Sequence, residues 1–186
     1  DFILRDCAPT LLVVGRSREQ AVAELAADAR PSEVLALGSP TTLPSYDEAL
    51  AAAPTPLEPP LDPGLIATIL YTSGTTGRPK GAMIDRAGFS ARVLINSVEL
   101  RVRADDVHLA VLPMFHIAAF LTYAHVANGA TLVMLEDFTP DATLAEMERM
   151  RVTTTCLVPT IIAMLTEHPD RPGRDLSRLR LIIYGG

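Results

Sequence analysis

The residues with the clearest chemical potential run from Tyr71 to Gly81, Tyr71-Thr72-Ser73-Gly74-Thr75-Thr76-Gly77-Arg78-Pro79-Lys80-Gly81. Small residues let backbone N–H groups approach a ligand, hydroxyls add donors and a lysine adds a mobile positive charge, a combination that suits a polyphosphate. Lys80 is the only lysine in a chain whose basic residues are otherwise arginine. A compact, flexible ammonium is thus kept where a rigid guanidinium fork would differ. The stretch is not a Walker A loop, which needs Gly-Lys-Ser/Thr opening a helix, because Pro79 precedes Lys80 and Gly81 follows it. An open loop that wraps a phosphate tail is the functional reading, and a plain Gly/Thr turn between two elements is the structural one.

Two further places could do chemistry. In Pro113-Met114-Phe115-His116-Ile117-Ala118 a histidine follows an apolar run, and a lone histidine of this kind is more often a satisfied core residue than a site residue. Tyr184-Gly185-Gly186 follows another apolar run, and its glycines mark either a turn or a close approach of backbone to a ligand. His108, His125 and His168 have no metal-ligand spacing and read as structural. Cys7 and Cys156 lie far apart in sequence and read as reduced, buried and inert.

The elements that must position these groups alternate. Thr10–Val14 reads as a strand, followed by a helix through Ala29 opened by a capping box at Ser17 and Gln20. Glu33–Leu37 reads as a second strand, and Ser45 with Glu48 caps a helix through Ala53. Five prolines between Pro54 and Pro63 exclude helix and sheet. The apolar run Leu65–Tyr71 predicts a strand covered on both faces that ends at the glycine-rich loop. Beyond it come a helix over about 85–100, a strand at Val107–Leu112, a helix at Ile117–Asn128 and a strand at Thr131–Leu135. Thr139 caps a helix with Pro140 at its first position, and strands follow at Thr153–Val158 and Leu179–Tyr184 with a Pro159 helix between them. This predicts an α/β fold with a largely parallel sheet, which receives ligands at the carboxyl ends of its strands. The expected divisions are 1–53 as a first α/β portion, 54–63 as a connector, 64–128 carrying the loop and a substrate wall, and 129–186 as part of a second α/β subdomain.

Composition excludes several classes. Apolar residues make up 48% and charged residues 20% of the 186, a globular balance. The net charge of −6, with scattered arginines, argues against a nucleic-acid partner. Val107–Leu135 lacks Asp, Glu, Lys and Arg, yet Pro113, three histidines and Asn128-Gly129 interrupt it, so a buried helix and strand are expected rather than a membrane span. No basic region followed by an apolar run and a cleavage site opens these residues, and the expected location is cytoplasmic.

The eleven residues from Tyr71 to Gly81 resemble, at every position, the phosphate loop of the adenylate-forming superfamily, which holds acyl- and aryl-CoA synthetases, luciferases and peptide-synthetase adenylation domains. Pro113-Met114-Phe115-His116 is similar to the Pro-x-Phe-His segment of acyl-CoA synthetases, and Tyr184-Gly185-Gly186 to the start of the adenine-binding segment. The resemblance implies that Thr72, Ser73, Gly74, Thr75, Thr76, Gly77 and Lys80 hold the β- and γ-phosphates of ATP, with Thr72 toward Mg²⁺. It also implies that His116 flanks the carboxylate and the adenylate at the end of a strand, that Tyr184 lines the substrate site, and that Gly185 and Gly186 face the adenine. The activity so implied joins a carboxylate, expected to be a fatty acid, to coenzyme A through an acyl-adenylate. Lys80 and His116 would be its catalytic groups here.

There are departures. Asp85-Arg86 stands where many relatives carry Thr-His, which alters the helix start, and Ala119 stands where glycine is frequent, which implies a tighter acyl pocket. Enzymes of the superfamily are roughly three times longer. The resemblance therefore implies further segments, including a Mg²⁺-binding glutamate and an adenylation lysine, that these residues do not contain, and a chain of this extent is expected to lack full ligase activity. A peptide-synthetase adenylation domain and a non-catalytic nucleotide-binding module are the competing readings.

Overall fold

The computed structural model describes residues 1–38, 42–54, 62–72, 77–135 and 137–185. They form two compact units, Asp1–Pro63 with Tyr71–Met83, and Gly64–Leu70 with Ile84–Gly186.

In the first unit a short helix α1 (Phe2–Cys7) precedes strand β1 (Leu11–Gly15), helix α2 (Glu19–Ala23), strand β2 (Glu33–Leu37) and helix α3 (Tyr46–Ala52). β1 and β2 pair in parallel from Leu11 against Glu33 to Gly15 against Leu37. The Ser45 cap forms, its Oγ accepting from the Glu48 N–H at 3.3 Å. The capping box expected at Ser17 does not: α2 starts after Arg18 with no side-chain cap. The single helix expected through Ala29 is instead a four-part run, with 3-10 turns at Arg16–Arg18 and Ala27–Ala29 flanking α2 and an irregular link. Most of the proline connector lies outside the described residues.

Strand β3 (Ile66–Thr72) pairs with β4 (Lys80–Asp85), a strand that the reading of this region as an open loop did not foresee. β3 is not covered on both faces either, since Ile66 and Ile69 are exposed.

The second unit carries the larger sheet. Helix α4 (Arg86–Glu99), strand β5 (Val107–Ala110), helix α5 (Ala119–Ala127), strand β6 (Thr131–Met134), helix α6 (Pro140–Arg149), strand β7 (Thr154–Leu157), helix α7 (Pro159–Thr166) and strand β8 (Leu181–Tyr184) follow one another. The strands order as β6-β5-β7-β8, all parallel. Sequence chemistry sets the helix starts. Asp85 accepts from the Gly88 N–H at 2.6 Å, and a Cβ on residue 88 would sit 3.0 Å from that carboxylate, so Asp85 caps α4 with glycine making room. Thr139 caps α6 by accepting from Ala142 N–H at 3.2 Å, with Pro140 next, as expected.

Leu109, Leu144 and Leu157 form the centre of the core with Val133, Met147, Val152 and Leu165. Each leucine so buried stabilises the fold by about 2 kcal/mol relative to exposure. Across α4 and α5, Phe89 packs on Phe120 and Tyr123 with ring centroids 5.1 and 5.3 Å apart. The charge-free stretch 107–135 folds as β5, a turn segment, α5 and β6. Among the described residues no helix is long and apolar enough to cross a membrane.

Two polar networks are buried in this unit. Asp106, 2% exposed, accepts from Thr153 Oγ1 at 2.7 Å, from the Arg103 N–H at 2.8 Å and from Arg180, whose Nε lies 2.9 Å away and whose Nη2 closes a second contact. Burial pushes its carboxyl pKa up, but the hydrogen bonds from Arg180, Thr153 and Arg103 outweigh that and hold it well below the usual range. In the second network the rings of His108 and His125 stack with centroids 3.9 Å apart, and Thr154 Oγ1 lies 3.0 Å from His108 Nδ1 and 2.9 Å from His125 Nε2. His125 Nδ1 sits 2.7 Å from the Leu121 carbonyl, which can only accept. His125 Nδ1 therefore carries the proton and Nε2 accepts from Thr154, whose oxygen in turn accepts from His108 Nδ1–H. Both rings are neutral in this arrangement. Burial lowers both pKa values, and the neighbouring His125 helps to lower that of His108 to about 3.

Because both folded-state values lie below the unfolded one, the stability linked to these rings is complete above the ordinary histidine range and is lost as pH falls from there toward the folded-state values, about 3 for His108. Unfolding free energy measured by urea titration is expected to drop as pH falls below about 6.5, by up to about 1.4 kcal/mol per pH unit for His108, with His125 adding in the same direction; a flat profile between neutral pH and about pH 5 contradicts the network. Asp106→Ala, which strands Arg180, is expected to cost about 3 kcal/mol in the same assay, more than the paired replacement Asp106→Leu with Arg180→Met.

Candidate active site

Parallel strands deliver their carboxyl ends to one edge of a sheet, where loops rather than ladder partners follow. At that edge β5, β7 and β8 lead into Leu112, Val158 and Gly185, which line a cavity of about 420 Å³. The size is that of a small-molecule site. Apolar side chains dominate its walls, with Ile183 from β8, Leu121 from α5 and Ile117 from the turn after β5.

His116 reaches the cavity from that turn segment. It lies six residues past the end of β5 at Ala110, and not at the end of a strand as expected, because Pro113 removes a ladder donor and the chain winds into turns. The His116 N–H bonds to Pro113 O at 3.1 Å, and His116 O accepts from Ala119 N–H at 2.9 Å, so the backbone on both sides of the ring is held. The ring itself is exposed, and Nδ1 accepts a long hydrogen bond of 3.4 Å from the Ala118 N–H. That contact assigns the proton of the neutral ring to Nε2, leaving an N–H donor free for a ligand oxygen.

Tyr184, 72% exposed, and Gly185 line the same cavity. A Cβ on Gly185 would meet no atom within 4 Å, so the backbone there is open to a flat ligand. The structure thus brings His116, Tyr184 and Gly185 together, whereas Gly186 lies outside the described residues.

Of the glycine-rich stretch, Ser73, Gly74, Thr75 and Thr76 also lie outside the described residues. Thr72 ends β3 and Lys80 begins β4, both exposed, and among the described residues the Lys80 ammonium makes no ion pair. Gly77 has φ +81°, a conformation that L side chains rarely adopt. Before it, the Tyr71 hydroxyl donates to Asp6 Oδ2 at 2.6 Å, which holds the phenol protonated and pushes its pKa up. An unpaired lysine, an exposed threonine hydroxyl and a glycine-only backbone fit a phosphate tail. Among the described residues no group of three or more His, Cys, Asp or Glu could hold a metal.

Sequence reasoning missed three groups that line the cavity. Arg92 and Asn96 lie four apart on α4, and Cys156 lies at the end of β7. The i, i+4 spacing on a helix of otherwise apolar inward face was a signal, but nothing in it said which wall the helix forms. Cys156 and Cys7 are half-buried and free rather than buried, and burial raises the Cys156 thiol pKa, which keeps it protonated and unreactive.

Residues 1–186, the whole chain, match the AMP-binding enzyme family. The chain is 36% identical to the indoleacetate–CoA ligase of Aromatoleum aromaticum, over 98% of this chain and 37% of that enzyme, so it spans well under half the length of this relative. It is 34% identical to a medium/long-chain fatty-acid–CoA ligase of Mycobacterium tuberculosis, over 67% of this chain and 22% of that enzyme. Among solved structures it superposes on the amide bond synthetase of Marinactinospora thermotolerans with a TM-score of 0.84 and 35% identity, covering 98% of this chain and 37% of that one.

Because His116 is exposed and its one side-chain bond is long, His116→Ala is expected to change unfolding free energy by less than about 0.5 kcal/mol. Urea titration checks this; a larger loss would make the ring structural.

Proposed function

The chain belongs to the AMP-binding family of adenylate-forming enzymes, and from that premise we propose that the protein is an ATP-dependent carboxylate–CoA ligase. The observation that carries the reading is the apolar cavity at the carboxyl ends of β5, β7 and β8 with the His116 Nε2–H donor beside it. A cavity of this kind takes the body of an organic acid, and the donor holds one oxygen of its carboxylate.

In the proposed reaction the other carboxylate oxygen attacks the α-phosphorus of ATP, the bond to pyrophosphate breaks, and an acyl-adenylate results. The thiolate of coenzyme A then attacks the acyl carbon, and AMP leaves as the thioester forms. The protein's part is to position groups and stabilise developing charge. His116 orients the carboxylate and faces the adenylate oxygens; Lys80, Thr72 and Gly77, with Ser73, Gly74, Thr75 and Thr76, hold the β- and γ-phosphates. Gly185 and Gly186 receive the adenine, and Tyr184 lines the substrate site. Mg²⁺ would travel with the phosphates, whose charge it neutralises, with Thr72 as its contact from these residues.

A fatty acid, the expectation from the Pro-x-Phe-His segment, meets the apolar walls formed by Leu112, Leu121 and Ile183. The two named CoA ligases act on an aryl acid and on fatty acids, and either shape has the apolar body required. A cytoplasmic setting goes with the use of ATP and coenzyme A.

The test is release of AMP by the full-length protein that depends on both a carboxylic acid and coenzyme A, with the thioester identified by mass. Lys80→Ala is expected to lower kcat/KM for ATP about tenfold or more, the loss of a charge-assisted contact. Exchange of pyrophosphate driven only by amino acids moves the protein to the peptide-synthetase class, and an amide formed with an amine in place of the thioester moves it to amide synthesis. ATP binding without any AMP release leaves a nucleotide-binding module.

A further inference from the structure

Asn96 is 4% exposed and lines the cavity from α4. Its side-chain Nδ2 has no hydrogen-bond partner among the described residues. A primary amide carries two N–H donors, and native structures rarely leave such a group buried and unmet. The polar groups beside it are already engaged. Ser97 Oγ donates to Val93 O at 2.8 Å and accepts from Asn128 Nδ2 at 2.7 Å. Leu112, Leu121 and Ile183 line the same cavity with hydrocarbon.

Arg92, one helical turn earlier, lines the same cavity, and its guanidinium makes no hydrogen bond or ion pair among the described residues. Arginine can only donate. The α4 wall therefore offers one buried, unmet amide donor at Asn96, with the exposed guanidinium of Arg92 one turn away, in a cavity whose walls are mostly apolar. A purely hydrocarbon acid would seal Asn96 away from water without satisfying it, whereas an acid with an acceptor oxygen at that place would complete the network.

We infer that Asn96, with Arg92 beside it, is a specificity-determining position that selects acids bearing a second, hydrogen-bond-accepting oxygen on an otherwise apolar body, in addition to the carboxylate that is activated. This rests on the carboxylate–CoA ligase reading. The chemical class is an alkyl or aryl carboxylic acid with an ether, carbonyl or hydroxyl oxygen.

The experiment compares kcat/KM of the full-length protein for pairs of acids equal in size: para-ethylphenylpropanoate against para-methoxyphenylpropanoate, and nonanoate against analogues in which one chain methylene is an ether oxygen, taken position by position. At least one oxygenated acid is expected to exceed its hydrocarbon partner about tenfold, and Asn96→Leu is expected to bring that ratio to one or below. Each ratio is measured within one preparation, so a reduced fraction of folded protein cancels; should Asn96→Leu not fold, Asn96→Ala is read in the same way. Preference for the hydrocarbon member of every pair, or a ratio that the substitution leaves unchanged, overturns the inference while thioester formation keeps the ligase reading. Absence of thioester with every acid overturns both.

Discussion

The second unit hangs on one buried carboxylate. Asp106 stands immediately before β5, and through Thr153 and Arg180 it grips the residues immediately before β7 and β8. The backbone follows the same route, since Thr153 N–H bonds to Val107 O at 2.9 Å and Arg180 N–H to Thr153 O at 2.8 Å. A charge taken this far out of water is tolerable only with its partners in place. Three parallel strands are thereby started level, and parallel pairing carries that alignment forward: Ala110 lies opposite Cys156, and Cys156 opposite Ile183. The strands then end together, and Leu112, Val158 and Gly185 meet around one cavity. Register at one edge of the sheet is what builds the site at the other.

The histidines divide along the same line. His108 and His125 sit within the sheet and helix layer, satisfy each other through Thr154 and stay neutral because burial disfavours their charged forms. His116 lies beyond the strand end, where no ladder partner and little packing claims it, and it keeps an N–H free. Three histidines in one charge-free stretch thus sit in two different settings, and what separates them is distance past the end of β5.

Much of this was legible from residue order. Strand-helix alternation predicted a parallel α/β sheet, and Ser45, Thr139 and Pro140 opened their helices as their chemistry requires. The apolar runs gave strands at 107–110, 131–134, 154–157 and 181–184 within a few residues of the expected bounds. Ser17 failed as a cap because a hydroxyl and an amide three apart are a signal only where the next turn is helical, and a 3-10 turn intervenes. β3 misled because an apolar run is read as buried on both faces, yet Ile66 and Ile69 are exposed in the described structure. The strand β4, which begins at Lys80, went unforeseen because the loop chemistry of that stretch dominated the reading. Of the residues that line the cavity, His116, Tyr184 and Gly185 had been named through resemblance, while Asn96 had not, since a single amide on a helix says nothing of which wall it forms until its neighbours are known.

The proposed function puts the acyl part of an activated acid in the cavity lined by His116 and Asn96. The most direct measurement is a crystal structure of the full-length protein with a non-hydrolysable acyl-adenylate analogue, an acyl-sulfamoyl adenosine. The acyl group is expected against Leu112, Leu121 and Ile183, with an oxygen of the mimicked carboxyl within hydrogen-bond distance of His116 Nε2. An acyl group bound elsewhere, with this cavity filled by solvent, would contradict it.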